Sequence, residues 1–215
     1  MSFDALIPDA RAFLGALGAN NTRDWFIAHK VDYETRLKTP ALHLADEIAT
    51  RLSRLTGLRT TPKLFRAHRD VRFSKDKTPY HTHLHLLWTS EADGRAPPQW
   101  FFGIAPDYVS AGAGRMGFDK DTLARYRAAL PTHGPALLAT LEVLQSQGAR
   151  LGEPELKRPA PPIAPDDPLA GLARRKSLGL WVDYTAPLTG LADRLEQDFT
   201  RLWPMQQALQ NLLQG

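Results

Sequence analysis

The sequence predicts an α+β fold, with a central and mainly antiparallel sheet covered by N-terminal and C-terminal helices. Three observations carry this. Apolar residues recur every three or four positions over the first 57 residues. From Phe65 the spacing changes to two, and after Asp119 it returns to the helical period. The strands between are joined by short connections, which favour antiparallel neighbours because a parallel crossover needs about a dozen residues or more.

The first helix carries Ala10, Phe13, Leu14 and Leu17 on one stripe, with Pro8 at its first position and Gly18 closing it. In "NNTRDWFIAHK" Asn21 is placed to cap the next helix, and Asp24 to answer it in a capping box. Trp25, His29, Tyr33 and Leu37 then recur every four residues. Thr39 and Pro40 read as a new cap and first position, and Gly57 as the stop of that third helix.

In "LFRAHRDVRF" Phe65, Ala67, Arg69, Val71 and Phe73 alternate with Arg66, His68, Asp70 and Arg72, the pattern of a strand. "THLHLLW" reads as a second strand, with a helix as the alternative, and "QWFFGIA" and "YVSAGAG" as two more, joined by a turn at Pro106 and Asp107. Asp119 or Asp121 caps a helix through Leu130, and Pro135 opens another through Gln147. The proline-rich stretch from Glu153 to Pro168 is expected to wrap the surface and return. "LGLWVDY" adds a strand, and Leu188, Leu191, Leu195, Phe199 and Leu202 stripe a last helix, interrupted near Pro204. The expectation is one domain over residues 1–215.

Composition limits the function classes. The chain has 215 residues, no cysteine, a formal net charge of +4 and a pI near 9.5. A thiol nucleophile, a disulfide framework and thiolate metal ligands are therefore excluded. There is no run of ~18 apolar residues to span a membrane and no basic, then apolar, leader. A cytoplasmic location is expected. The mild basic balance permits an anionic partner without requiring one.

The chemistry concentrates in "RAHRDVRFSKDKTPYHTH", residues 66 to 83. On a strand Arg69 is the exception to an apolar face. It must be paired there, because an unpaired buried charge costs several kcal/mol, or it must point into a pocket. The loop after it offers Ser74, Lys75, Lys77 and Tyr80 with several backbone N–H groups. Arginine forks, lysines and such N–H groups are what hold phosphates and carboxylates. The candidate anion-binding residues are thus Arg66, Arg69, Arg72, Ser74, Lys75, Lys77 and Tyr80. Asp70 and Asp76 are the candidate catalytic carboxylates, either as a general base or as orienters of the arginines, with Asp70 holding both Arg69 and Arg72. A polar turn built on an Asx motif at Asp76 is the structural alternative.

His81, His83 and His85 alternate and would share a strand face, but no acidic pair completes a metal site. No metal and no cofactor is expected. "GAGRMG" matches the dinucleotide fingerprint without its parallel context or its acid some twenty residues on. It reads instead as a glycine-rich strand end that lets backbone or ligand approach. No nucleophile elbow or Walker loop is present.

"NNTRDWF", "RDVRFSKDKTPY", "AGAG", "LKRP" and "DDPLAGLARRKSL" occur in an order that resembles an uncharacterised microbial family, domain of unknown function 2461. The resemblance covers nearly the whole chain and implies one domain. It places Asn21, Trp25, Phe26, Arg69, Asp70, Arg72, Ser74, Asp76, Lys77, Pro79 and Tyr80 on the family pattern, with Lys157, Arg158 and Lys176 on its later elements. His81 departs from the lysine usual there. The resemblance supplies no reaction. Two readings follow. One is a ligand-binding protein or enzyme acting on a small phosphorylated or carboxylated molecule. The other is a non-catalytic module whose basic surface meets nucleic acid or an acidic protein.

Overall fold

A computed structural model describes residues 2–92 and 97–214. The helical N-terminal part comprises α1 (Leu6–Ala19), α2 (Arg23–Ala28), α3 (Lys30–Asp32) and α4 (Thr39–Thr56), with a π-helical stretch, Tyr33–Lys38, between the last two. Several sequence expectations change here. Pro8 sits at the third helical position, and α1 runs past Gly18. Thr22, not Asn21, caps α2 by accepting from Trp25 N. Thr39 and Pro40 do not restart the chain. The π stretch runs into α4 with helical torsions at both Lys38 and Thr39. Proline has no N–H to donate, and widening the preceding turn is a way to keep the helix going. Gly57 does end α4, in the left-handed region at φ 71°.

The sheet has six strands: β1 (Thr60–Leu64), β2 (Leu84–Ser90), β3 (Gln99–Ile104), β4 (Val109–Arg115), β5 (Arg150–Leu151) and β6 (Leu178–Asp183). Their order is β1-β2-β3-β4-β6-β5 and every pairing is antiparallel. Pro62 is accommodated because β1 is an edge strand. The register stacks Leu86, Phe102, Ala111 and Val182 in one row, and Trp88, Trp100, Ala113 and Leu180 in the next. All eight are buried.

That face is closed by helices. Trp88 donates its indole N–H to Ala45 O of α4 at 2.8 Å. It meets Phe199 of α7 (Leu191–Gln214) edge-on, and Trp100 stacks on Trp203 of the same helix. Behind α7 lies α5 (Lys120–Ser146), capped by Asp119. The break expected between Leu130 and Pro135 is absent, as is the one at Pro204: both helices run through their prolines. Among the described residues, no helix is long and apolar enough to cross a membrane.

The proline-rich stretch returns along the sequence that contains α6 (Ala170–Ala173). Leu156 N donates to Arg174 O and Ala160 N to Ala173 O. Arg175, 6% exposed, donates to Gly152 O at 2.6 Å. At the glycine-rich end of β4, a Cβ on Gly114 would lie 2.0 Å from Leu178 O, and its φ is +129°. Close backbone approach, rather than a dinucleotide, accounts for that motif.

Candidate functional site

The expected strand from Phe65 to Phe73 does not form. β1 ends at Leu64, one further bond joins Phe65 N to His85 O, and the chain then leaves the sheet. The alternation failed as a strand signal because its apolar members are not one buried face: Phe65 is 41% exposed and Phe73 97%. Residues 66–81 instead make a lobe. Its two arms are joined by Arg69 N to Pro79 O (2.9 Å), His81 N to Ala67 O (2.8 Å) and a bridge between His68 and Tyr80.

Two motifs far apart in sequence hold this lobe. Asn21 Nδ2 donates to Tyr80 O at 2.9 Å, and Tyr80 N donates to Asn21 Oδ1 at 3.1 Å. Phe26, four residues into α2, stacks on the Tyr80 ring with centroids 4.0 Å apart. This is why Asn21 does not cap: its amide is spent on the main chain of Tyr80.

At the tip, Arg69 is paired, as its setting required, but its partner differs from the expected one. Its Nη1 lies 2.5 Å from Asp76 Oδ2 and also donates to the backbone and side-chain oxygens of Thr78. Asp76 also receives Thr78 N, an Asx turn. That backbone N–H first, and then Arg69, lower the Asp76 carboxyl to about 2. Asp70 holds Arg72 alone, through Nε at 2.9 Å and Nη2 at 2.6 Å, and this pairing lowers its own pKa. Lys77 Nζ donates to Val71 O at 3.0 Å. Arg66, Ser74 and Lys75 make no side-chain hydrogen bond or ion pair among the described residues. The sequence-predicted residues thus share one lobe, but both acids and both motif arginines are engaged with one another.

From the lobe a file of histidines leads onto the sheet. His81 and His83 have ring centroids 4.7 Å apart, and His83 and His85 stack at 3.8 Å. Burial lowers all three pKa values, bringing His85 to about 4. His83 and His81 add to the effect at His85, while Arg69 and Arg66 act on His81. His85 Nε2 lies 2.5 Å from Tyr108 Oη. Among the described residues no group of three metal-binding side chains is arranged to hold an ion.

His85 and Tyr108 edge a cavity of about 460 Å3 on the sheet face opposite the helices. Its floor is aromatic. Phe101 and Trp181 are 5.7 Å apart, on either side of Gly112 in one cross-strand row. A Cβ on Gly112 would come within 2.5 Å of Trp181 Cε3, so the indole lies over the glycine. A Cβ on Gly103 would lie 3.0 Å from His85 Cδ2 and 3.2 Å from Tyr108 Cε2. Arg150 and Asp183, paired at 2.7 and 3.1 Å, stand at the far rim, with Phe65 and Met116 also lining the space. Sequence reasoning missed this cavity. The signal was present as the non-core members of β3 and β6, whose large rings face glycines across the strands.

A one-sided antiparallel sheet, helices on one face and an aromatic-floored cavity on the other, defines an α+β protein with a cleft of small-ligand size. The sequence profile of the family described as conserved hypothetical protein (DUF2461) matches residues 9–207, and the chain belongs to that family. No curated protein matches the chain.

Proposed function

We propose that the chain binds a small anionic molecule, phosphorylated or carboxylated, where the lobe meets the open sheet face. One observation carries the reading. A cavity of about 460 Å3 adjoins three histidines whose far end lies within electrostatic reach of Arg66 and Arg69. Pockets of about 300–1,000 Å3 with apolar walls and a few polar groups are where small ligands bind. Arg66, which has no ion-pair partner among the described residues, and Lys75 and Lys77 are the first cations to meet the anion, with Ser74 and Tyr80 as neighbouring polar groups. Arg69 and Arg72 contribute charge while keeping their carboxylates. In this reading Asp76 and Asp70 position those arginines rather than take a proton, since both are already engaged and held below the usual carboxylate range. We also propose a cytoplasmic location.

A thermal-shift series with inorganic phosphate, mononucleotides and simple carboxylates tests this on wild type and Arg66→Ala. An anion should raise the wild-type Tm, with a smaller shift in Arg66→Ala. If no anion stabilises the wild type, the reading fails.

The basic-surface reading draws on a different observation. Phe73 is 97% exposed at the lobe tip, with the Arg72 guanidinium 5.9 Å from its ring. Exposed rings beside cations are how single-stranded nucleic acid is stacked. Fluorescence anisotropy with a short labelled oligonucleotide separates the two. Binding lost in Phe73→Ala favours this second reading.

A further inference from the structure

We propose that the open sheet face is a seat for a planar aromatic ring, and that the anion it takes is an aromatic carboxylate of one or two fused rings. This rests on the anionic-ligand reading above and adds the chemistry of the ligand's body.

The rings come first. Side chains normally stand away from a sheet, but over Gly112 there is no Cβ, and Trp181 can lie down there. Phe101 is its neighbour in the same row. Two half-buried rings over a notch offer a flat surface, and flat π-systems stack offset on such surfaces with more gain than aliphatic bodies of equal area. In the core such rings would be covered by another element. Here they border the cavity.

The adjoining row supplies the polar end. It runs His85, Gly103, Ser110, Asp183 across four strands. Ser110 is 7% exposed, lines the cavity, and its hydroxyl has no hydrogen-bond partner among the described residues. Its Oγ is open to the cavity rather than sealed in the sheet, so the hydroxyl is free to meet a ligand oxygen there. Tyr108 is the second donor. With the imidazole proton on Nε2, His85 donates to Tyr108 Oη and leaves the phenol hydrogen free for a ligand oxygen. Alternate residues on a strand are roughly 6.7 Å apart, about the reach from a fused ring to its carboxylate. A ring over Phe101 and Trp181 therefore puts an attached carboxylate beside Ser110 and Tyr108. Of the charges at the space itself, Asp183 beside Ser110 is offset by its partner Arg150, and the positive excess comes from Arg66 and Arg69 at the far end of the histidine file.

The test follows the Trp181 indole N–H by NMR, assigned with Trp181→Phe, during titration with three probes. These are 2-naphthoate, the saturated decahydro-2-naphthoate and the neutral 2-naphthalenemethanol. The expected result is a saturable shift of the Trp181 signal with 2-naphthoate, and at least about tenfold weaker binding of the other two. Ser110→Ala, a change small enough to keep the fold, should weaken 2-naphthoate by about tenfold or more, the scale of one hydrogen bond to a charge. Equal binding of the saturated acid overturns the ring seat and leaves the anionic reading standing. Equal binding of the neutral alcohol overturns the anionic reading, and the aromatic acid with it. If millimolar 2-naphthoate leaves the Trp181 signal unmoved, or if Ser110→Ala binds it as well as wild type does, the proposal is wrong.

Discussion

On β2, Leu86 and Trp88 go under the helices, whereas His85 and Leu87, their immediate neighbours, lie on the other face. The same strands thus build two surfaces with different rules. Under the helices every side chain fills volume: Trp88, Trp100 and Phe102 are at most 1% exposed and interlock with α4 and α7. On the open face large rings alternate with glycines, and what results is a hollow. Packing on one face fixes the sheet's position and leaves the other face free to take a shape that would be a defect in a core.

That contrast can be broken most severely by removing the cover. We propose that residues 1–215 unfold as one cooperative domain, so a chain ending before Leu191 should show no thermal transition by calorimetry. A stable fragment retaining a full transition would contradict this. Next in size, Trp88→Ala should cost about 3–5 kcal/mol in urea unfolding, the usual range for emptying a filled core site. Trp181→Ala, on the open face, should cost less than about 2 kcal/mol, because that indole is only partly buried. Equal costs would mean that the two faces are energetically alike.

The histidine file sharpens the comparison through pH. The His85 pKa of about 4 lies below its ordinary 6.5. Between those values the unfolded chain binds more protons than the folded one. Stability is therefore full above about 6.5 and falls as pH drops toward about 4. Urea midpoints at several pH values should show this slope, reduced in His85→Gln. A bound anion favours the protonated imidazole, so affinity should change in the opposite sense and rise as pH falls through the same window. The smallest effect belongs to Arg72→Ala. Its side chain is 76% exposed and its partner Asp70 43%, so the Tm should not move.

Much of the fold was legible because burial and period agree on long elements. β2, β3, β4 and β6 fall where alternation placed them, and α7 follows its stripe. The failures share a cause. Pro40, Pro135 and Pro204 read as breaks, yet tertiary packing keeps each within a continuous helix. Phe65–Phe73 read as a strand because alternation does not say whether a partner strand exists. For the site, residue types located the lobe but not who pairs with whom. Spacing along the chain favoured Asp70 for both arginines, while the Asx turn brings Asp76 back to Arg69. The cavity was illegible for a different reason. Phe101, Gly112 and Trp181 meet only through cross-strand register, and that is set by pairings a linear reading does not contain.

The clasp between Asn21 and Tyr80 has a consequence for tolerance to substitution. The asparagine amide grips the N–H and the C=O of one residue, in two successive peptide groups, and is blind to whatever side chain that residue bears. At position 80 the requirement is therefore only a flat ring to lie against Phe26, and phenylalanine or histidine should serve. At position 21 neither aspartate, which lacks the donor, nor serine, which lacks the span, can grip both atoms. In a saturation library scored for folded protein, the short polar residue in the helical connection should be the intolerant member of the pair, and the conspicuous aromatic in the lobe the permissive one.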